Sequence, residues 1–188
     1  MKGCDFMAKA TTPSFVLELE LLTTPHERKT LNKKLNIGRQ VYNACLGEAL
    51  KRLHKIQHDK AYGLLLQELK SVKQKLQTLE KLEKSPIEQI RELKRQKTFI
   101  QSELKSIELQ YGYSDYQLHS WTTGCSKHFR SHIGSLEIQK LATRAFHAVE
   151  KLHYHTAKKV HFKCKGELIS IENKSNKTGL RWMDGKVI

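Results

Sequence analysis

The 188-residue chain is strongly basic, with 34 Lys and Arg against 19 Asp and Glu and a formal net charge of +15. A surplus of this size favours an anionic polymer as the partner, because each phosphate that a cation neutralises releases a counterion. An ordinary soluble protein of high isoelectric point is the alternative. The longest apolar run, residues 15–22, contains Glu18 and Glu20, which excludes a membrane-spanning helix there.

The amino terminus and the cysteines both indicate a cytoplasmic protein. No charged-then-apolar secretory leader is recognisable at the start of the chain. The cysteines are about forty or more residues apart and form no C-x-x-C pair, which excludes a zinc ribbon and a disulfide scaffold and suits a reducing compartment.

A strand followed by a long helix is predicted near the amino terminus. Residues 1–12 are expected to be flexible, and residues 14–22 alternate apolar and polar side chains, which is typical of a strand. Thr24, Pro25 and Glu27 then supply a helix N-cap, a proline at the first helical position and a capping-box glutamate. The helix is expected to run to about Lys60 and to bury Leu31, Leu35, Val41, Cys45, Ala49, Leu53 and Ile56. Two glycines inside it, Gly38 and Gly47, predict close packing against a neighbouring element or RNA.

A helical hairpin is predicted over about residues 64–110. The first arm has an apolar seam that steps by three and four, made of Leu65, Leu69, Val72, Leu76 and Leu79. Ser85 and Pro86 break the pattern, and the second seam consists of Ile90, Leu93, Ile100, Leu104 and Ile107, with Lys97 in a gap. Two such helices should fold back antiparallel, each covering the other's stripe. A single kinked helix is the competing interpretation.

The carboxyl-terminal third predicts one helix and then strands. Ser135 to about His155 has helical periodicity, whereas residues 159–162, 167–172 and 179–183 favour strands, with a hairpin turn at Asp184 and Gly185. Because isolated hairpins are marginal in water, the strand within residues 13–24 is expected to pair with the strands of residues 158–188. The predicted fold class is therefore α+β: a small split β-barrel, apparently truncated at its end, with residues 25–157 inserted as a helical lobe.

Catalytic patterns are absent from the sequence, whereas binding patterns are present. The ten histidines do not form a metal-ligand spacing, and no phosphate-binding glycine loop follows a strand. We therefore expect no catalytic residue, metal or cofactor in this chain. Polar and aromatic positions on the first helix, a mixed aromatic and basic stretch at residues 111–132, and a lysine-rich tail suit phosphates and unpaired bases.

The candidate nucleic-acid-binding residues come from these three regions and the loop after them, with Arg144 of the predicted helix at 135–155 in addition. Aromatic side chains accompany the cations of the stretch at 111–132, namely Tyr111, Tyr113, Tyr116, Trp121 and Phe129. For any single one of them, filling a gap between helices is the preferred interpretation. The complete set is Arg39, Tyr42, Asn43, Lys51, Arg52, Lys127, Arg130, Arg144, Lys158, Lys159, Lys163, Lys165, Lys174, Asn176, Lys177 and Arg181.

Several short motifs, in this order, resemble the amino-terminal half of transposon-encoded TnpB proteins and the compact type V CRISPR effectors. They are a strand followed by Thr-Thr-Pro, residues 39–43 (RQVYN), a helical insertion, residues 141–146 (LATRAF) and residues 160–163 (VHFK). The resemblance implies a wedge-like barrel built from residues 13–24 and 158 onward, with an inserted recognition lobe. It also implies a guide RNA as partner, a target DNA read by base pairing, and a bacterial, cytoplasmic location.

The resembled family cuts DNA with a RuvC-like domain that uses Mg, and nothing in these residues corresponds to it. We therefore expect this chain to bind guide RNA and target DNA without cleaving, whether it is a fragment, a truncated relict or a split subunit with a separate nuclease chain. Two alternatives remain open at this stage. One is a structural adaptor that assembles through the hairpin, and the other is a nuclease-less RNA-guided regulator.

Overall fold

Helices dominate the part of the protein that the computed structural model describes, which is residues 18, 20–81, 87–174, 182, 183 and 185–187. In chain order these residues form α1 (Pro25–Gln57), α2 (Lys60–Glu80), α3 (Ile87–Gln110), α4 (Asp115–Trp121), α5 (Thr123–His128) and α6 (Ser135–His153). A short pair, β1 (Trp182–Met183) and β2 (Lys186–Val187), follows. None of the described helices is both long and apolar enough to cross a membrane. The expected flexible terminus, residues 1–12, lies outside the described residues.

The predicted start of α1 is confirmed in detail. The Glu27 N–H donates to the Thr24 hydroxyl at 3.3 Å, and the Thr24 N–H donates to a Glu27 carboxylate oxygen at 2.7 Å. This capping box satisfies two of the backbone donors that a helix leaves unpaired at its first turn. The helix ends at Gln57, three residues before the expected end, because Asp59 caps the next helix by accepting from the Tyr62 N–H at 2.9 Å.

The core of the protein is built mainly between α1 and α6, which make the most extensive helix–helix contact of the described residues. Residues on the facing sides of the two helices are buried, including Val41, Cys45, Leu46 and Ala49 of α1 and Ile138, Leu141, Ala142, Ala145 and Val149 of α6. An ion pair of 2.7 Å between the Lys34 Nζ and a Glu137 oxygen joins the same helices. The expectation that Leu31 is buried is wrong, because residues 25–33 of α1 are exposed throughout.

The chain reverses between α2 and α3, so the hairpin interpretation holds and the kinked-helix interpretation is wrong. The two helices pack along each other, with Leu69, Leu76 and Leu104 buried in the seam. Near the reversal, the Lys94 Nζ lies 3.6 Å from a Glu80 carboxylate oxygen, a contact that an antiparallel pair brings about. The Ser85–Pro86 break itself lies outside the described residues.

The predicted α+β fold with a split β-barrel is wrong. Within residues 13–24 the described positions, 18 and 20–24, form no strand, and residues 158–174 contain none either. The third expected tail strand is described only at Trp182 and Met183, which pair with Lys186 and Val187 across the predicted turn. Gly185 supplies the positive φ of 75° that such a turn requires. Instead of pairing with a strand, the tail from residue 158 to residue 174 packs on helices, with Leu168 in the core and its backbone bound by Asn43 and Arg144.

We predict that the α1–α6 core tolerates truncation poorly. Leu141→Ala should lower the free energy of unfolding by about 2–5 kcal/mol, because Leu141 is fully buried and the cavity would not close completely. Denaturant unfolding of the full chain measures the change. Leu64, which is 67% exposed, provides the control: Leu64→Ala should change stability by about 0.5 kcal/mol or less. Equal losses in both variants would contradict the assigned core.

Candidate nucleic-acid interface

Residues 158–174, here called the tail segment, lie against α1 and α6. Leu168 is buried, and Ile171 packs at the core edge beside it. A Cβ on Gly38 would lie 2.9 Å from the Ile171 Cδ1 and 3.1 Å from the Leu168 Cδ2, so the glycine admits these side chains closely. The expectation that Gly38 serves close packing is confirmed. A Cβ on Gly47 would lie 3.9 Å from the Phe162 Cε1, which is an ordinary van der Waals distance, so this contact does not require a glycine.

Asn43 of α1 pairs with the backbone of Lys163 through both ends of its side-chain amide. Its Nδ2 donates to the Lys163 carbonyl at 2.9 Å, and its Oδ1 accepts from the Lys163 N–H at 2.8 Å. Arg39 adds a third hydrogen bond, from its Nη1 to the same carbonyl at 3.4 Å. The side chains of Asn43 and Arg39 thus supply the hydrogen bonds that a neighbouring strand would otherwise supply to the backbone of the tail segment. Such bonds are needed because partly buried peptide groups require hydrogen-bond partners. A hydrogen bond of this kind contributes about 1 kcal/mol.

A tight turn then sends the tail segment across to α6. The Glu167 N–H donates to the Cys164 carbonyl at 3.1 Å, and Gly166 takes a φ of +87°, a conformation that glycine adopts without strain. Beyond the turn, the Arg144 Nη1 donates to the Ser170 carbonyl at 2.9 Å. The Lys174 Nζ donates to the Gln139 side-chain oxygen at 3.1 Å. The tail segment is therefore fastened to both long core helices.

A groove runs along the first half of α1 and is here called the α1 cleft; the docked tail segment lines only its part near Arg39. It consists of two adjacent depressions of about 360 and 450 Å³ that share Asn32. The cations Arg28, Lys29, Arg39 and Lys165 line it, and no described Asp or Glu does. Its length from Pro25 to Arg39 is about 21 Å, from the helical rise per residue.

The apolar floor of the α1 cleft comes from both sides of the docking contact. Leu35 contributes from α1, and Leu168 and Ile169 contribute from the tail segment. Ile169 is 83% exposed, so apolar surface is available beside the cations. A groove with cations and an apolar floor can hold phosphates and the faces of unpaired bases together.

Four of the sixteen predicted site residues meet at this docking contact: Arg39, Asn43, Lys163 and Lys165. Lys158 and Lys159 are exposed at the start of the tail segment, and neither makes an ion pair with another described residue. Three further candidates are exposed elsewhere, namely Lys51 on α1, Lys127 on α5 and Arg130 after α5. The last three candidates, Asn176, Lys177 and Arg181, lie outside the described residues.

Several residues that were predicted to bind nucleic acid instead make contacts within the protein. Tyr42 is only 7% exposed, and burial raises the pKa of its hydroxyl. Arg52 binds the Glu48 carboxylate at 2.8 Å and donates to the Gly112 carbonyl. Arg144 and Lys174 hold the tail segment, as described above. The structure therefore gives these side chains a positioning role in the fold.

The aromatic stretch at residues 111–132 divides between core and surface. Tyr113 is buried, and the Tyr111 hydroxyl donates to an Asp59 carboxylate oxygen at 2.8 Å. Tyr116 is 79% exposed, and Trp121 is 40% exposed. The stretch is therefore no continuous stacking platform, and the two exposed rings are the ones open to a partner.

A buried polar cluster, which sequence analysis did not identify, joins α2, α3 and α6. The Tyr62 hydroxyl lies 3.2 Å from a Glu108 carboxylate oxygen and 3.0 Å from the His153 Nε2. Burial opposes ionisation of Glu108, but hydrogen bonds from His153 and Lys105 outweigh it and lower the pKa of that carboxyl. The available signal was the position of Glu108, four residues after Leu104 on the seam side of α3, where an apolar residue would be expected.

No protein-family model, curated protein or solved structure matches the chain. Its function therefore has to be inferred from its own residues. Within the described ranges, no group of three or more His, Cys, Asp or Glu is placed to hold a metal ion. What these residues do provide is a helical framework with a cationic cleft along α1.

We predict that Asn43→Asp releases the tail segment locally. The new carboxylate oxygen would face the Lys163 carbonyl in place of the Nδ2 donor, so that two acceptors would repel each other. Hydrogen exchange of the Lys163 amide should accelerate by about tenfold or more, as a loss of about 1–3 kcal/mol implies. The exposed Asn32 provides the control, and Asn32→Asp should leave that amide unchanged. Unchanged exchange in Asn43→Asp would contradict the anchoring role.

We predict that Glu108 contributes stability that is lost in acid. Because its pKa is lower in the folded than in the unfolded protein, the contribution is present above the ordinary value of 4.5 and disappears as the pH falls through the folded pKa. Glu108→Gln should therefore flatten the fall of the melting temperature between about pH 6 and pH 3. Glu103→Gln, an exposed change on the same helix, should keep the parent's profile. If the melting temperature of Glu108→Gln fell with decreasing pH as steeply as that of the parent, the stabilising role of Glu108 would be refuted.

Proposed function

We propose that the protein is a non-catalytic RNA-binding module whose α1 cleft holds an RNA phosphate backbone. The observation that supports this most is the lining of the cleft, along which four cations are placed while no described acidic side chain lines it. Cations placed this way attract phosphates and gain from counterion release. The overall charge of +15 extends the same attraction beyond the cleft.

The guide-RNA function that the sequence resemblance implies is the more specific form of this proposal. Two motifs behind the resemblance, residues 39–43 and 160–163, meet in space through Asn43 and Lys163, which supports their acting as one unit. On this proposal the chain binds the folded part of a guide RNA. The guide pairs with a target DNA, and any cleavage belongs to a nuclease domain outside these 188 residues. A nuclease-less regulator would use the same RNA-binding surface.

Assembly through the apolar seam of the helical hairpin, the alternative from sequence, has less support. Leu76 and Leu104 are buried between α2 and α3 of a single chain, so they are already covered. A partner helix would have to displace one arm of the hairpin to reach them. RNA binding requires no such rearrangement, because the cations of the α1 cleft already face open space.

We predict that the α1 cleft supplies several of the phosphate contacts. Replacing Arg28, Lys29 and Lys165 with Gln should weaken binding of a structured RNA and reduce the salt slope by about 2 units, at about 0.7–0.9 per lost contact. Fluorescence anisotropy at several salt concentrations measures both quantities. Arg39 is left in place because it also holds the tail segment.

A charge-matched control separates the cleft from diffuse attraction. Lys70, Lys75 and Arg91 are exposed on the helical hairpin, and their replacement with Gln removes the same three charges. The proposal expects a much smaller loss in this variant. Two results would contradict a binding role of the α1 cleft: an equal loss of RNA affinity in the two variants, or an RNA affinity of the cleft variant equal to that of the parent. Equal affinity for a structured RNA and an unstructured RNA of the same length would contradict the guide-specific form.

A further inference from the structure

A second cavity, here called the His155 pocket, opens where the ends of α1 and α6 meet the helical hairpin. Its volume is about 510 Å³, within the range of small-molecule sites. Each long helix contributes to its wall: Gln57 from α1, Lys73 from α2, Gln101 from α3 and His153 from α6. It is distinct from the α1 cleft, since the 25 residues between Asn32 and Gln57 span about 37 Å of helix.

The backbone beside this pocket is strained at His155, which has a φ of 57°. The residue follows the end of α6, where its N–H donates to the Leu152 carbonyl at 3.1 Å and the Thr156 N–H donates to the Lys151 carbonyl at 2.9 Å. This pattern is the Schellman motif, in which glycine is the most stable occupant of the left-handed position. Here a histidine occupies that position, and its side chain lines the pocket. Strain of this kind concentrates at functional sites.

The charges that line the pocket leave a site for an anion. Glu108 is already compensated: one oxygen lies near Tyr62 and His153, and the other accepts from the Lys105 Nζ at 3.2 Å. Lys73 forms no ion pair with any described residue, and it lines the pocket together with His155. A lysine and a histidine that face open space can bind a phosphate group.

The remaining walls of the pocket suit a flat heterocycle. Leu66, Leu69 and Leu104 provide apolar surface. The ring of Tyr154 is 60% exposed at the rim and offers a stacking face. Gln57 and Gln101 each carry a donor and an acceptor, which is what recognition of the polar edge of a base requires.

We propose that the His155 pocket binds a single nucleotide, with Lys73 and His155 at the phosphate and the glutamines at the base. This site lies beyond the proposed RNA contact of the α1 cleft. Two sources share the required chemistry: a free 5′-mononucleotide and the terminal nucleotide of an RNA strand.

Isothermal titration of the full chain with each of the four 5′-mononucleotides tests the pocket. At least one should bind saturably and more tightly than inorganic phosphate or the matching nucleoside. His155→Gly should raise the melting temperature, because it relieves the strained backbone, and weaken nucleotide affinity about tenfold by removing a phosphate contact. Lys73→Gln should weaken affinity similarly. Lys70→Gln, three residues away on α2 and outside the pocket, should bind like the parent.

The outcomes separate this proposal from a purely structural pocket and from the RNA proposal. Absence of mononucleotide binding up to millimolar concentrations would overturn it, and so would parent affinity in both His155→Gly and Lys73→Gln. The cleft variant of Arg28, Lys29 and Lys165 should keep full mononucleotide affinity, so failure of one site leaves the other testable. Competition by 5′-phosphorylated RNA but not by 5′-hydroxyl RNA supports the pocket with a strand end as its ligand. Binding of the mononucleotide alone supports it with a free nucleotide.

Discussion

The paired hydrogen bonds between the Asn43 amide and the Lys163 peptide group are the constraint on which the proposed interface depends. In the described structure, the tail segment has no partner strand, and helix side chains bind its backbone instead. Asn43 and Arg39 fasten it to α1, and Arg144 fastens it to α6. This anchoring carries Lys165 to the side of α1 that presents other cations. Together these contacts bring two separate basic regions of the chain, the first half of α1 and the tail segment, to one cleft.

The long helix α1 organises the rest of the molecule. Its middle forms the core with α6, its first half lines the α1 cleft, and its last turn reaches the His155 pocket. The helical hairpin is held to this unit by polar as well as apolar contacts, since Tyr62, Glu108 and His153 meet across α2, α3 and α6. Removing one side chain from such a buried cluster is destabilising, because the remaining polar groups are left without their hydrogen-bond or charge partner. This cluster therefore joins the helical hairpin to the core.

Structural features that depend on neighbouring residues were predictable from the sequence, whereas contacts between distant parts of the chain were not. The capping box of Thr24 and Glu27, the reversal between α2 and α3, and the periodicity of α6 all depend on residues within a few turns of one another. The prediction of a split β-barrel was wrong because the alternation of apolar and polar side chains does not show which element a segment packs against. Asn43 was identified as a candidate, but its partner is 120 residues away, so its anchoring role could not be seen. Glu108 was not identified for the same reason, since its partners Tyr62 and His153 are 46 residues before it in the chain and on α6.

Lysine reactivity in the presence and absence of RNA tests the central claim most directly. The full chain, labelled with an acetylating reagent and analysed by mass spectrometry, reports the accessibility of every lysine in one experiment. A structured RNA should protect Lys29 and Lys165 strongly, while Lys70 and Lys75 on the helical hairpin should stay reactive. Protection spread evenly over all exposed lysines, or confined to the hairpin, would contradict the α1 cleft as the place where RNA binds.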